Sequence, residues 1–184
     1  GQSVQIRHVQ HAVRHGIGYV PEDRLTEGLF LQQSIGRNII VSIVERLANL
    51  VGVMNAELTS REIQKFIDYL RIKTPSSYLP VQSLSGGNQQ RVVLAKWLAT
   101  KGKILILNGP TVGVDIGSKM DIHHTLRELA RQGMGILIIS DDIPELLHNC
   151  NRIFVMHKGR FIDELRDERC TEEELTRQLA ALVK

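Results

Sequence analysis

The feature that most constrains this chain is the alternation of short, wholly apolar runs with helical stretches. After Ser83, residues 86–100 carry a helical pattern and 103–107 (KILIL) read as a strand. Residues 117–132 again read as a helix, 135–140 (GILIIS) as a strand and 144–149 as a short helix. Strands that are apolar throughout are buried on both faces, and strands separated by helices join in a parallel sheet. An earlier run, 16–20 (GIGYV), reads as a strand ending at Pro21. Arg152 to Met156 and Arg160 to Leu165 form a predicted hairpin about His157-Lys158-Gly159. The expected class is therefore α/β with a mostly parallel sheet.

A helical insert precedes this core. Ile39, Ile40, Ile43, Val44 and Leu47 recur at helical spacing, as do Ile63, Phe66, Ile67 and Leu70, so residues 35–72 are helical in pattern up to the turn signal Thr74-Pro75-Ser76-Ser77. Residues 1–15 are polar and lack periodicity, which suits a loop or an edge. In the helix over 117–132, Met120, Ile122, Leu126 and Leu129 supply the apolar face, and the adjacent His123 and His124 are read as surface. Trp97 is read as a packing residue. The last helix begins at a capping box, Thr171 with Glu174, and carries Leu175, Leu179 and Leu182 on one face; Glu172, Glu173 and Glu174 suit its dipole.

Composition narrows the function classes. A length of 184 residues suits one domain, with room for a sub-domain. No apolar run approaches the ~20 residues of a membrane span, and the N-terminus is polar, without a secretory signal. The net charge of +3 forms no basic stripe and aromatic content is 4%, which favours a solvated surface over a nucleic-acid partner. Cys150 and Cys170 are too few for a disulfide scaffold and are expected as thiols in a reducing cytosol. His8, His11 and His15 would be neighbours on a helix, but no acidic or cysteine ligand accompanies them, so a polar surface segment is the reading preferred to a metal site. Asp141-Asp142 is read as a strand end entering a loop. No Ser-His-Asp or Cys-His arrangement is recognisable.

The chemistry-bearing string is Leu84-Ser85-Gly86-Gly87-Asn88-Gln89-Gln90-Arg91. Ser85 is a good helix N-cap, its hydroxyl able to accept from an orphan amide of the first turn. Gly86 and Gly87 have no side chains, so the helix start is expected to stay open, its amides and positive dipole end suited to a phosphate. A bare Ser-Gly-Gly start would also serve as a simple turn or cap; the full string is more specific. It resembles the signature of ABC-transporter ATP-binding domains, in the form found in bacterial monosaccharide importers of the ribose, galactose and xylose type. Four further segments are similar to that family in the same order: Tyr19-Val20-Pro21-Glu22-Asp23-Arg24 at its Q-loop position, Arg71-Ile72-Lys73-Thr74-Pro75, the D-loop segment Pro110-Thr111-Val112-Gly113-Val114-Asp115, and Arg152 to Gly159 (RIFVMHKG). Together they cover about residues 16–165.

The resemblance implies a P-loop NTPase-like core with a helical sub-domain at about 33–100 and the α/β core at about 16–32 and 101–184. It implies the second of two fused ATP-binding domains. Ser85, Gly86 and Gly87, with Gln90 near them, would face the γ-phosphate of an ATP held by a partner nucleotide-binding domain, and Asp115 would run along the same interface. Membrane permease subunits, reached through the helical segment 35–80, and indirectly a sugar-binding protein, would complete the assembly at the inner face of the plasma membrane. The domain would be cytoplasmic and peripheral, with ATP and Mg²⁺ as cofactors of the assembly and none held tightly by this chain alone.

Several family residues are replaced. No G-x-x-x-x-G-K-[ST] loop occurs in the chain. In the family that loop precedes the Q-loop, so the N-terminal part of the domain is expected to be absent, by truncation or as a natural stand-alone form. Asn108 stands at the Walker B Asp position and lacks the charge that favours a divalent cation. Gly109 stands at the Glu that polarises the attacking water, a loss that typically costs ~10²–10⁴-fold in rate. Glu22 occupies the general Q-loop Gln position, as the resemblance to the sugar importers leads one to expect, and Asp141 the switch His position, where those importers' second domain often has Ser and a carboxylate would repel a γ-phosphate. The expectation is a chain with no catalytic residue and no metal site of its own, lending its signature and D-loop to a composite site. The alternative is a non-catalytic interaction or regulatory module retaining the ABC fold; a nucleic-acid-linked ABC protein is a weaker third reading.

Overall fold

The structure is a computed structural model that describes residues 3–166 and 171–181. In chain order its elements are α1 (Val9–Arg14), β1 (Ile17–Val20), a π-helical turn (Arg24–Gly28), α2 (Ile35–Ile40), a 3-10 turn (Val41–Ile43), α3 (Val44–Leu47), α4 (Ala56–Tyr69), a second 3-10 turn (Val81–Ser83) and α5 (Gly86–Leu98). There follow β2 (Ile104–Asn108), α6 (Ile116–Arg131), β3 (Gly135–Ile139), α7 (Ile143–Asn149), β4 (Arg152–His157), β5 (Arg160–Arg166) and α8 (Glu172–Ala181). They group into two units, Gly1–Leu137 and Ile138–Lys184.

In the first unit the sheet order is β1-β2-β3. β1 and β2 run parallel from Ile17 opposite Ile104 to Val20 opposite Leu107. Val20, Leu105 and Leu107 point inward and are almost fully buried. Trp97 of α5 lies against this face at Gly18, where an added Cβ would come within 3.2 Å of the Trp97 Cβ. The expectation of burial on both faces is not met: Tyr19, Ile104 and Leu137 are 42, 43 and 49% exposed. The helix layer at Gly18 covers one side of the sheet, and the alternate residues of each strand point to the other.

α5 is the centre of this unit. All six residues from Arg91 to Lys96 are buried, the pattern of a helix enclosed on every side. α2 packs on it, with Ile35 and Ile39 fully buried. Asn38, also fully buried, accepts from the Phe30 amide (2.8 Å) and donates to the carbonyls of Phe30 (3.1 Å) and Ser34 (3.0 Å), so its polar atoms are satisfied inside the core.

The helical stretch expected over 35–72 is broken. Ala48 pairs with Met54 in an isolated antiparallel bridge. Between them the Asn49 side chain accepts from the amides of Val51 (3.0 Å) and Val53 (2.9 Å), an alternative that takes the backbone out of the helix. Residues 1–15, expected without regular structure, contain the short α1. Two readings of α6 are also corrected. Met120, placed on the apolar face, is 67% exposed, whereas His123, read as surface, is buried beside Ile122 and Leu126. The helical period carries the buried stripe through 122, 126 and 129 and brings 123 into it.

In the second unit, β4 and β5 pair antiparallel, with Arg152 opposite Arg166 and an irregularity between Val155 and Met156. Ile153, Val155, Leu165 and Leu175 form its core, against which Cys150 packs half-buried. The hairpin about 157–159 is as predicted. The Thr171 hydroxyl accepts from the Glu174 amide at 3.2 Å, the expected cap of α8, and the Glu174 carboxylate accepts from Arg177. Cys170, Leu182 and the side chain of Leu179, all used in the sequence reading, lie outside the described residues. No described helix is long and apolar enough to cross a membrane.

Candidate functional site

Ser85 occupies the N-cap of α5 and is exposed, yet its hydroxyl caps no amide. It accepts instead from the side-chain amide of Asn88 (3.0 Å), whose oxygen accepts from the Lys73 backbone amide (2.8 Å). Asn88 thereby ties the helix start to the segment that follows α4.

The two glycines do not leave the helix start open as expected. Gly87 is buried, and a Cβ there would lie 2.2 Å from the Ser118 Oγ. Gly86 is half-buried; a Cβ there would lie 2.8 Å from an Arg24 guanidinium nitrogen and 2.9 Å from the Gly113 carbonyl oxygen. Glycine at these positions permits the close approach of α5 to the start of α6 and to the turn before it. Gln90 is 2% exposed and lies beneath the loop rather than on its surface.

That turn begins at Gly109, buried at φ +54°, a left-handed conformation that glycine adopts without strain. Thr111 follows, buried, and the Val112 and Val114 amides donate to the Gly109 and Thr111 carbonyls at 3.1 and 3.2 Å. Asp115 caps α6, accepting from the Ser118 amide at 3.0 Å. The hydrogen bonds from Ser118 hold the Asp115 carboxyl below its ordinary range.

The segment after β1 meets this turn. Asp23 caps the π-helical turn, accepting from the amides of Leu25 (2.9 Å) and Thr26 (3.3 Å) and from the Thr26 hydroxyl (2.7 Å). The Thr26 hydroxyl, chiefly, holds the Asp23 carboxyl low. Arg24 donates to the carbonyls of Val112 (2.8 Å) and Gly113 (3.1 Å), and more weakly to the Gln89 side chain (3.5 Å). At the other end of the turn the buried Lys96 donates to the Gly28 carbonyl at 2.5 Å, and burial pushes its ammonium pKa down. Gln89 and Lys96, seven residues apart on one face of α5, hold the turn at both ends.

The walls enclose a cleft of about 460 Å³ in which Glu22, Asp23, Glu27 and Asn108 meet Arg24 and Val112. The structure thus brings Glu22, Asn108 and Gly109 together, and separately brings Gly86, Gly87 and Asp115 together. Asp141 is an exposed residue of the second unit, beside Asp142, whose amide donates to the Ser140 hydroxyl at 3.1 Å. Among the described residues no group of three or more His, Cys, Asp or Glu could hold a metal ion. Sequence reasoning singled out neither Arg24, Ser118 nor Lys96 for a role. Arg24 stands in a segment that carries the family resemblance, but its carbonyl partners are 88 and 89 residues away.

Residues 1–112 match the model of the ABC transporter family. The chain belongs to that family. Its ABC relatives include an L-arabinose transport ATP-binding protein, AraG, of Geobacillus stearothermophilus, 43% identical over 96% of this chain and 34% of that protein. A ribose import ATP-binding protein, RbsA 2, of Rhizobium etli is 42% identical over 96% of this chain and 35% of its own length. The chain spans about a third of the length of these relatives. A solved nucleotide-free ATP-binding cassette from an ABC transporter shares the ABC fold, with a TM-score of 0.74 over 95% of this chain and 69% of the other at 22% identity.

Proposed function

We propose that this chain is the later part of an ATP-binding domain of a carbohydrate-importing ABC transporter. It supplies the signature segment and the Asp115 turn to an ATP site shared with a partner nucleotide-binding domain. The observation that carries the reading is the seating of the Ser85–Gln90 segment directly on the Gly113–Ser118 turn, through Gly86 and Gly87. Ser85 stays exposed at the edge of this contact, within reach of a neighbouring domain. Relatives named for arabinose and ribose import support the carbohydrate assignment. Permease subunits, reached through the helical segment 35–80, a sugar-binding protein beyond them, and a peripheral position at the inner membrane face belong to the same proposal.

The chain's own cleft is proposed to be hydrolytically degenerate. Asn108 offers a neutral amide where a magnesium site needs a carboxylate, and Gly109 offers no side chain to orient water. The Glu22, Asp23 and Glu27 carboxylates on the cleft would repel a triphosphate. With these carboxylates on the cleft and Arg24 already bound to the Val112 and Gly113 carbonyls, the residues offer no cradle for a triphosphate, so no hydrolytic step is assigned to them; any turnover belongs to the other site of the assembly. The test is ATP turnover by the purified chain alone and by the chain assembled with an intact partner domain. Turnover only in the assembly is expected. Robust magnesium-dependent hydrolysis by the chain alone would overturn the degenerate site.

The absence of an Asp at 108 and a Glu at 109 also favours a second reading, a non-catalytic interaction or regulatory module on the ABC fold. The two part on the assembly. A module leaves the partner's turnover unchanged when Ser85 is replaced, whereas a shared ATP site loses it.

A further inference from the structure

The three segments around α5 are joined through one side chain. Arg24 opens the π-helical turn, a geometry that is rare and concentrates at functional sites. α5 grips that turn through Gln89 at one end and Lys96 at the other, while the Val93 side chain lies 3.2 Å from where a Cβ on Gly28 would be. So placed, the guanidinium reaches two successive carbonyls of the turn after β2, at 2.8 and 3.1 Å. It fills, together with the Gly113 oxygen, the space a side chain at position 86 would need. A planar fork with five donors spans several acceptors at once; an ammonium on the same stem is a point donor and cannot.

We infer that Arg24 is a positioning residue that locks the 109–115 turn onto the start of α5, and that Gly86 is glycine because the Arg24–Gly113 hydrogen bond occupies its side-chain space. This differs from the role expected of Gly86, which was to leave the helix start open to a phosphate. The clamp itself stands on the contacts alone. Its effect on ATP turnover rests on the proposed function.

Two measurements test the clamp without nucleotide. In hydrogen exchange on the purified protein, Arg24→Lys raises the exchange of the Val112 and Val114 amides at least tenfold while those of α4 are unchanged; unaltered exchange at 112 and 114 overturns the clamp. In thermal unfolding, Gly86→Ala lowers the midpoint, and the loss is measurably smaller in the Arg24→Ala background because the guanidinium is no longer displaced and only the Gly113 carbonyl is still met. Equal losses in both backgrounds overturn the account of Gly86. If Gly86→Ala fails to fold, restored folding in the Arg24→Ala background supports that account and continued failure overturns it. A third measurement tests positioning. In the assembled transporter, Arg24→Lys lowers kcat for ATP at least tenfold and leaves KM unchanged, whereas an unchanged kcat with altered exchange overturns the positioning role. Failure of the functional reading shows separately, as absent turnover in the unsubstituted assembly, and the exchange result still decides the clamp.

Discussion

The side chain of Glu22 stands against the open side of Gly109: a Cβ at position 109 would lie 3.1 Å from the Glu22 Cγ and 2.8 Å from the Val112 Cγ2. Glycine at 109 is therefore required by its neighbours as well as by its φ of +54°. Gly109→Ala is expected to cost about 1–2 kcal/mol from the left-handed backbone alone, and Gly109→Glu more, since a second carboxylate would be set beside Glu22. Glu22→Ala should narrow the gap between these two variants. Urea denaturation of the four proteins measures it, and equal costs for Ala and Glu at 109 would contradict the contact. A glutamate at 109 is not expected to produce ATP hydrolysis by this chain.

Gly87 and Ser118 form a second close pair. A methyl group on residue 87 would overlap the Ser118 side chain, and overpacking of this kind costs roughly 1–3 kcal/mol. Gly87→Ala should therefore destabilise, and Ser118→Gly in the same protein should recover part of the loss. A double-mutant cycle by chemical denaturation gives the coupling, and strictly additive effects would show that the two residues do not meet.

Asn88 bridges Ser85 and the Lys73 amide. Asn88→Ala removes both bonds and is expected to lower stability by about 1 kcal/mol. Asn88→Asp keeps the acceptor for Lys73 but cannot donate to Ser85, so an intermediate loss is expected. An aspartate variant as weak as the alanine one would place the whole effect on the Ser85 contact.

Lys96 is 7% exposed, and burial lowers its ammonium pKa in the folded state. The sign follows from linkage. Below the folded pKa the residue is charged in both states, and burying that charge costs stability. As pH rises from the folded pKa towards the unfolded one, the folded protein sheds the proton first and the cost is relieved. Lys96 should thus deprotonate before the exposed lysines, and its contribution to stability should improve through that alkaline window. Side-chain NMR titration of the lysines tests this, with Lys96 titrating among the others as the contrary result.

The order of strands and helices after Ser83 was legible because wholly apolar runs of strand length, separated by helical periods, admit few arrangements. The segments 84–91 and 110–115, and the pair Asn108-Gly109, stand out in the sequence as strings. What a string does not carry is contact across the chain. Arg24 meets carbonyls, which every residue possesses, so no pattern at 112 and 113 announces a partner. Gly86 and Gly87 were read from the helix outward, as residues that expose amides, whereas their neighbours Arg24, Gly113 and Ser118 come from two other segments. The break at 48–55 was missed because Asn49 diverts the backbone with its own side chain, a local choice that hydrophobic periodicity does not register.

α5 has no solvent-facing side between Arg91 and Lys96, and it touches the sheet, α2 and the π-helical turn. Such a helix cannot fray by itself. A protease would find its backbone only after the layers around it have come away together, so resistance to cleavage at 91–96 should report the survival of the whole first unit rather than of one helix.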